Sequence, residues 1–383
     1  MEQLKAYKFR MYPDNDQKIL INKTFGCTRY LYNHFLNKKQ EQYKQTKKSQ
    51  SAYDNIKEIP ELAKERPWLS EVDSCALRSS IFDLEDAFKR VYNKQNNYPN
   101  FKSKFAKNSY RTNNIISEYK GKTYNSIKLD PINKTIKLPK LKDIKIRGYR
   151  NQTNIEGTII NATISRETDN RYYVSVLIRQ ELSIKPIQQE AIIGIDLGIK
   201  DLIVTSDNEK YENPKALIKY EKRIKHLQKE LARKEKGSNN YNKLKQKIAI
   251  IYRKIRNTRK YYLHQITKEI TDTKSIIVTE TLKIKNMLKN HKLAKLIQDA
   301  SWSELIRQLG YKSRWKGKRF YQIEANYPSS QICSRCDYQN KETKNLGIRE
   351  IICPSCGNEY DRDFNAAINI MSKGLERYMT EIN

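Results

Sequence analysis

Ile192-Ile193-Gly194-Ile195-Asp196-Leu197-Gly198-Ile199-Lys200-Asp201-Leu202-Ile203-Val204-Thr205 is the stretch on which the fold turns. Its two apolar runs, 192–195 and 201–205, have strand length and are joined by a short turn. An acid closes the first run and Leu-Gly follows it. That placement exposes a carboxylate where chain and substrate can approach closely. Two more acids stand in comparable places. Glu280 ends the apolar run Ser275-Ile276-Ile277-Val278-Thr279-Glu280, and Asp363 opens a run whose Phe364, Ala367, Ile368, Met371 and Leu375 have helical spacing. Asp361 competes with Asp363, but it lies one step outside the helical pattern, so Asp363 is preferred.

Each acid has a bland counterpart: a turn residue for Asp196, a surface acid for Glu280, a helix N-cap for Asp363. Taken together, strand end, strand end and helix start describe a site for hard divalent cations. Mg²⁺ or Mn²⁺ takes oxygen ligands and keeps several waters, so a few carboxylates suffice. Two such ions can activate a water and stabilise a leaving oxygen in phosphodiester hydrolysis.

Charge bounds the partners. The 383 residues carry 75 Lys+Arg against 43 Asp+Glu, a formal charge of +32, which selects a polyanion. The 26 tyrosines add stacking surfaces for bases. No apolar run approaches the roughly 18 residues of a membrane helix, and Met1–Lys8 alternates without a signal core. An intracellular, cytoplasmic chain is therefore expected.

Cys333-Ser334-Arg335-Cys336 and Cys353-Pro354-Ser355-Cys356 are two Cys-x-x-Cys knuckles enclosing the sixteen residues 337–352. This is the spacing of a closed, four-thiolate Zn²⁺ ribbon. A redox dithiol leaves the second pair unexplained. Such a ribbon, ending seven residues before Asp363, sits at the rim of the acidic site as a structural or substrate-contacting element. Cys27 and Cys75 lie in helical patterns and read as buried small apolar residues. His34, His226, His264 and His291 contain no His-x-His pair, so they offer no second, histidine-based nuclease centre.

Elsewhere, Tyr7, Phe9 and Met11 alternate with Lys8 and Arg10, as in a strand with one wet basic face. Residues from Pro13 to about 95 are helical in pattern, followed by the basic aromatic loop Asn96–Lys104. Residues 115–185 turn to β character, with hairpins at Ile127–Leu138 and Ile159–Ile178. These strands and the N-terminal one are expected to form a small barrel into which the helical block is inserted. Leu217, Ile224, Leu227 and Leu231, then Leu244, Ile248, Ile251 and Ile255, mark two helices with basic outer faces.

Gly194-Ile195-Asp196-Leu197-Gly198, the strand ending at Glu280, the knuckles after Tyr327-Pro328-Ser329-Ser330-Gln331, and Asp361-Arg362-Asp363-Phe364-Asn365-Ala366-Ala367 resemble the TnpB family. These are insertion-sequence-encoded, RuvC-like relatives of compact type V CRISPR effectors. Tyr7–Pro13, Tyr98–Lys104 and Ala162–Arg166 resemble it too. Asp337 departs from the pattern, since the family often has Gly there. The resemblance implies an α+β multidomain chain. Residues 1–12 and 113–190 would form a wedge-like β-barrel and 13–112 a helical recognition domain. Residues 191–327 and 359–383 would form an RNase H-like RuvC domain, with 328–358 as its zinc ribbon. It further implies a guide RNA from the transposon end, a double-stranded DNA target beside a short motif, and cleavage at Asp196, Glu280 and Asp363 with Mg²⁺ or Mn²⁺. A nuclease-inactive RNA-guided repressor and a guide-free nuclease on structured DNA are the rival readings.

Overall fold

The computed structural model describes residues 2–105, 107–148, 155–181, 191–344 and 347–382. The chain divides into two compact units, Met1–Leu182 and Ser183–Asn383. The expected domain boundary at 190/191 abuts 182–190, which lie outside the described residues.

The first unit opens with β1 (Glu2–Tyr12), in which Tyr7, Phe9 and Met11 are buried and Lys8 is exposed. The expected alternation holds because successive side chains leave a strand on opposite faces. Pro13 ends the strand, and Asp14 starts α1 (Asn15–Thr46). Gln17 N–H donates to Asp14 Oδ1 at 2.8 Å, and Asp14 N–H donates back to Gln17 Oε1 at 3.1 Å, a reciprocal cap. Helices α2 (Ala52–Lys57), α3 (Ile59–Glu65) and α4 (Ser74–Tyr92) follow. Leu31, Phe35 and Leu36 pack there against Leu77, Ile81, Leu84 and Phe88. Cys27 and Cys75 are buried, as expected.

The chain then enters β2 (Asn108–Asn113), the outlying hairpin β3 (Ile116–Tyr119) and β4 (Lys122–Asn125), and β5 (Lys128–Asp130). After these come β6 (Thr135–Leu138), β7 (Lys142–Arg147), β8 (Thr158–Arg166) and β9 (Tyr172–Glu181). The seven-stranded sheet runs β2-β8-β9-β1-β7-β6-β5. It is curled, and β1 bridges its halves by pairing with β9 along most of its length and with β7 at its end. The expected small barrel takes the form of this curled sheet, in which β2 and β5 are edges with one neighbour each among the described residues. The expected start of the β region at 113 also falls inside a strand. Asn108–Asn113 pairs with β8, burying Tyr110 and Thr112; its polar composition hides the alternation.

The second unit is built on β10 (Ile192–Leu197), β11 (Asp201–Thr205), β12 (Lys210–Glu212), β13 (Ile276–Thr279) and β14 (Arg319–Gln322), ordered β12-β11-β10-β13-β14. β10 and β11 form the expected antiparallel pair, whereas β10, β13 and β14 are parallel. Between β12 and β13 come α5 (Ala216–Ala232) and α6 (Asn239–Thr273). They meet through Ile224, Leu227, Leu244, Ile248, Ile251 and Ile255, and their lysines, such as Lys222, Lys229, Lys243 and Lys247, face outward. After β13 come α7 (Ile284–Met287), α8 (His291–Ala300) and α9 (Trp302–Trp315). Past β14, the hairpin β15 (Glu350–Ile352) and β16 (Glu359–Asp361) leads directly into α10 (Arg362–Ile382).

Parity along the central strands decides what faces what. Ile193, Ile195 and Ile277 point to one face, under α6, α8 and α9 with Leu263, Ile266, Ile297, Leu305 and Leu309. Ile276 and Val278 point to the other, where Ile370 and Tyr378 of α10 cover them. A period of two therefore assigns Asp196 and Glu280 to the α10 side. No described helix is long and apolar enough to cross a membrane.

Candidate active site and metal centre

The β10–β13 ladder ends at the pair Ile195↔Thr279. One step further along parallel strands, Asp196 stands beside Glu280, both half-buried. Helix α10 is pressed onto this end of the sheet by two glycines. A Cβ on Gly194 would lie 2.0 Å from Ala367 O and 2.6 Å from Met371 N, and one on Gly374 would lie 2.3 Å from Val278 Cγ2. The first turn of the helix, with Asp363, lies close enough to the end of β10 for its charge to act on Asp196.

Asp196 senses the charges of the other two acids. Asp196 is pushed well above the usual carboxylate range by burial and then by the charges of Glu280 and Asp363, with Arg362 and the Leu197 N–H opposing. Glu280 is pushed up to about 7 by burial, again against the Leu197 N–H. Burial and neighbouring like charges disfavour the ionised form in this way. Asp363 is ion-paired with Arg349 and lies 3.4 Å from Arg362 Nη2. The turn after Asp196 is held by Trp302, whose Nε1 donates to Gly198 O at 3.3 Å. It is also tight: a Cβ on Gly198 would lie 2.4 Å from Asp201 O.

The structure separates the roles of the two neighbouring aspartates. Asp361, not Asp363, caps α10: its Oδ1 accepts from Asp363 N at 2.9 Å and Phe364 N at 3.0 Å. Lys210 holds its other oxygen at 2.9 Å. Burial raises the Asp361 pKa, but Lys210 and the helix N–H groups outweigh it and leave the carboxyl below the usual range. Asp363 is thereby relieved of capping, so the N-cap role weighed for it passes to its neighbour.

The four cysteines converge more tightly. Their sulfurs all lie within 4.8 Å of one another, with Cys333–Cys356 at 3.8 Å and Cys336–Cys353 at 3.6 Å. Four Zn–S bonds of about 2.3 Å in a tetrahedron place sulfurs about 3.8 Å apart, so the donor set fits Zn²⁺. The two knuckles are built alike. Asp337 N–H donates to Cys333 O at 3.0 Å, and Gly357 N–H donates to Cys353 O at 2.9 Å. Both donors have left-handed backbone, with φ of 57° at Asp337 and 70° at Gly357. The departure noted at Asp337 thus falls where glycine would be unstrained. The carboxylates form a looser set than the thiols, which are the described group meeting that 4.8 Å limit.

Sequence reasoning missed Arg349, Arg362 and Lys210, because no spacing announces a cation that arrives through tertiary packing. It also missed Asn365 and Asn369, which are 0% and 4% exposed. Two asparagines at an i, i+4 spacing among alanines and isoleucines were the available signal.

Three family profiles match: an OrfB/IS605 "Probable transposase" over residues 174–291, a Cas12f1-like TNB domain over 302–370, and a helix-turn-helix domain over 1–48. The last span folds here as β1 and the single long helix α1. A Streptomyces pristinaespiralis protein described as a "Putative RNA-guided DNA endonuclease" is 33% identical over 380 residues, covering 98% of this chain and 90% of that one. InsQ of Escherichia coli K12, described in the same words, is 30% identical over 391 residues, covering 98% and 93%. The fold is similar to Cas12f1 in a cryo-EM complex with sgRNA and target DNA, with a TM-score of 0.59 at 13% identity, covering 97% of this chain and 98% of that one. With such identity over nearly the full length of both relatives, the chain belongs to the TnpB family of IS605-type RNA-guided nucleases.

Proposed function

We propose that the protein is an RNA-guided DNA endonuclease of a transposable element. It cuts double-stranded target DNA at one acidic site formed by Asp196, Glu280 and Asp363. The observation that carries this reading is that acids from three distant segments lie near one sheet end, where Asp196 and Glu280 stay raised in pKa although Arg349 and Arg362 pair with Asp363. Oxygen donors in a loose cluster suit Mg²⁺ or Mn²⁺ better than a thiophilic ion. Bound there, such ions would supply an activated water and stabilise the leaving oxygen of a phosphodiester.

The chain's own residues prepare that site. Asp196 and Glu280 supply negative charge, and the Leu197 N–H favours the ionised form of both. Trp302 fixes the turn that aims Asp196, and the two close helix–sheet contacts at Gly194 and Gly374 fix Asp363. Lys210 and the helix cap keep Asp361 occupied outside the trio. We read residues 191–327 with 359–383 as a RuvC-like domain and 328–358 as its zinc ribbon. The curled sheet is read as a wedge, and α1–α4 as a recognition domain. The outward lysines of α5 and α6 suit a nucleic-acid backbone, whose contacts would be salt-dependent. Guide pairing would read sequence while the protein reads backbone shape and a short adjacent motif, the logic of RNA-guided effectors.

The test is to express the protein from its native locus and sequence the RNA that co-purifies. One abundant species running from the transposon end into flanking DNA is expected. Duplex matching that species should be cut with Mg²⁺ or Mn²⁺ and left intact in chelator. Random RNA, or cutting in chelator, overturns the reading.

A further inference from the structure

The four-cysteine module is bonded to the first turns of α10 from both of its arms. On the first arm, Asn365 Oδ1 accepts from Ser334 N–H at 2.8 Å, while Asn365 Nδ2 donates to Ile332 O at 2.6 Å. One turn later, Asn369 Nδ2 donates to the same Ile332 O at 2.6 Å and to Ser329 O at 2.8 Å. Ile332 and Ser334 flank the ligand Cys333. On the second arm, Arg362 N–H donates to Arg349 O at 2.7 Å, and Arg349 is ion-paired with Asp363. Arg349 leads into β15 and from there to the ligand Cys353.

We propose that Asn365 and Asn369 are positioning residues that couple metal occupancy of the cysteine cluster to the placement of Asp363. This rests on reading Asp363 as a ligand of the catalytic ions. Apolar residues would serve cohesion alone, and the same helix has them in Ala366, Ala367 and Ile370, all buried. The two amides instead satisfy backbone groups beside Cys333, and a buried polar group is costly unless its partner stays in place. Each amide thus fixes the distance between a knuckle and the helix within hydrogen-bond tolerance. A closed thiolate cluster holds the knuckles rigid, and the amides pass that rigidity to the turn carrying Asp363. A displacement of about 1 Å at such a residue can cost about a hundredfold in rate. The coupling must also be reciprocal: ions held at Asp363 should tighten zinc retention by the factor with which zinc tightens those ions.

The experiment uses the full chain with its RNA. Zinc affinity is measured by competition with a zinc-selective chelator, with and without Mg²⁺, in wild type, Asn365→Leu, Asn369→Leu and Asp363→Asn. Mg²⁺ is expected to tighten zinc binding about tenfold in wild type, within the usual range of coupling, and to have no effect in Asp363→Asn. In the asparagine variants, loaded with zinc and folded, the Mg²⁺ effect should vanish. Their kcat should fall about tenfold or more with KM for target DNA unchanged. Zinc affinity that ignores Mg²⁺ in wild type overturns the proposal, even where a variant fails to fold. An unchanged Mg²⁺ effect in both asparagine variants overturns it as well. If Asp363→Asn still cleaves DNA, the active-site reading fails instead; if that variant is dead while wild-type zinc retention ignores Mg²⁺, only the coupling fails.

Discussion

The cysteine cluster and the acidic site lie in the same unit and are built by opposite means. All four thiols come from residues 333–356, and each knuckle closes on its own backbone through the N–H of the residue that follows its second cysteine. The three carboxylates come from residues 196, 280 and 363 and meet only after a parallel ladder and a helix dock. Tight convergence of thiols suits one ion with short bonds to all four. Looser convergence of acids suits hard ions that keep some of their water. A bound metal would supply the order of the local site, whereas the acidic residues are brought near one another by the packing of their unit.

The largest expected effect tests the acidic side of that contrast. Asp196→Ala should lower target cleavage by about 10⁴-fold or more, the scale on which key catalytic groups act, while the co-purifying RNA stays bound. Cleavage assays on RNA-loaded protein decide this, and loss of both properties would make Asp196 a folding residue. Cys353→Ser strikes the other side. Metal analysis should show loss of zinc, and limited proteolysis should open residues 328–358 while the five-stranded sheet stays protected, because metal binding supplies the folding energy of so small a module. Retained zinc would sink the cluster assignment.

Gly194→Ala probes packing without touching any ligand. The new methyl meets Ala367 O and Met371 N, so α10 must move. A stability loss of about 1–3 kcal/mol is expected, with a roughly hundredfold fall in cleavage and full zinc content. Chemical denaturation and metal analysis on one preparation check both halves, and unchanged cleavage would mean that α10 does not set Asp363. The smallest effect belongs to Asp337→Gly. Relief of left-handed backbone at an exposed knuckle should raise stability by no more than about 1 kcal/mol, read as a small rise in Tm with activity unchanged. A clear loss would show that the Asp337 side chain has a role of its own.

Much of the architecture was legible before folding. The alternation in β1, the Asp14 start of α1, the hairpin β8–β9 and the apolar seams of α5 and α6 follow from periodicities that local geometry imposes. Less was legible where polar residues fill a strand, as in Asn108–Asn113, or where closure of a sheet depends on its edges meeting, as with β2 and β5. Helix spacing placed Asp361 one step outside α10, where the structure has it. The cap and the lysine that keep Asp361 occupied came only with the fold.

By itself, the sequence pointed to a polyanionic partner, through charge; to the four-cysteine cluster, through cysteine spacing; and to three candidate acids, through their places at element ends. Such properties are written in composition and in short-range pattern. Tertiary structure alone decided that strand parity turns Asp196 and Glu280 toward α10 and that Gly194 lets the helix close on them. It also brought Arg349, Asn365 and Asn369 to join one site to the other. These contacts link residues far apart along the chain, and no local spacing encodes them because they exist only once helix and sheet share one packed face.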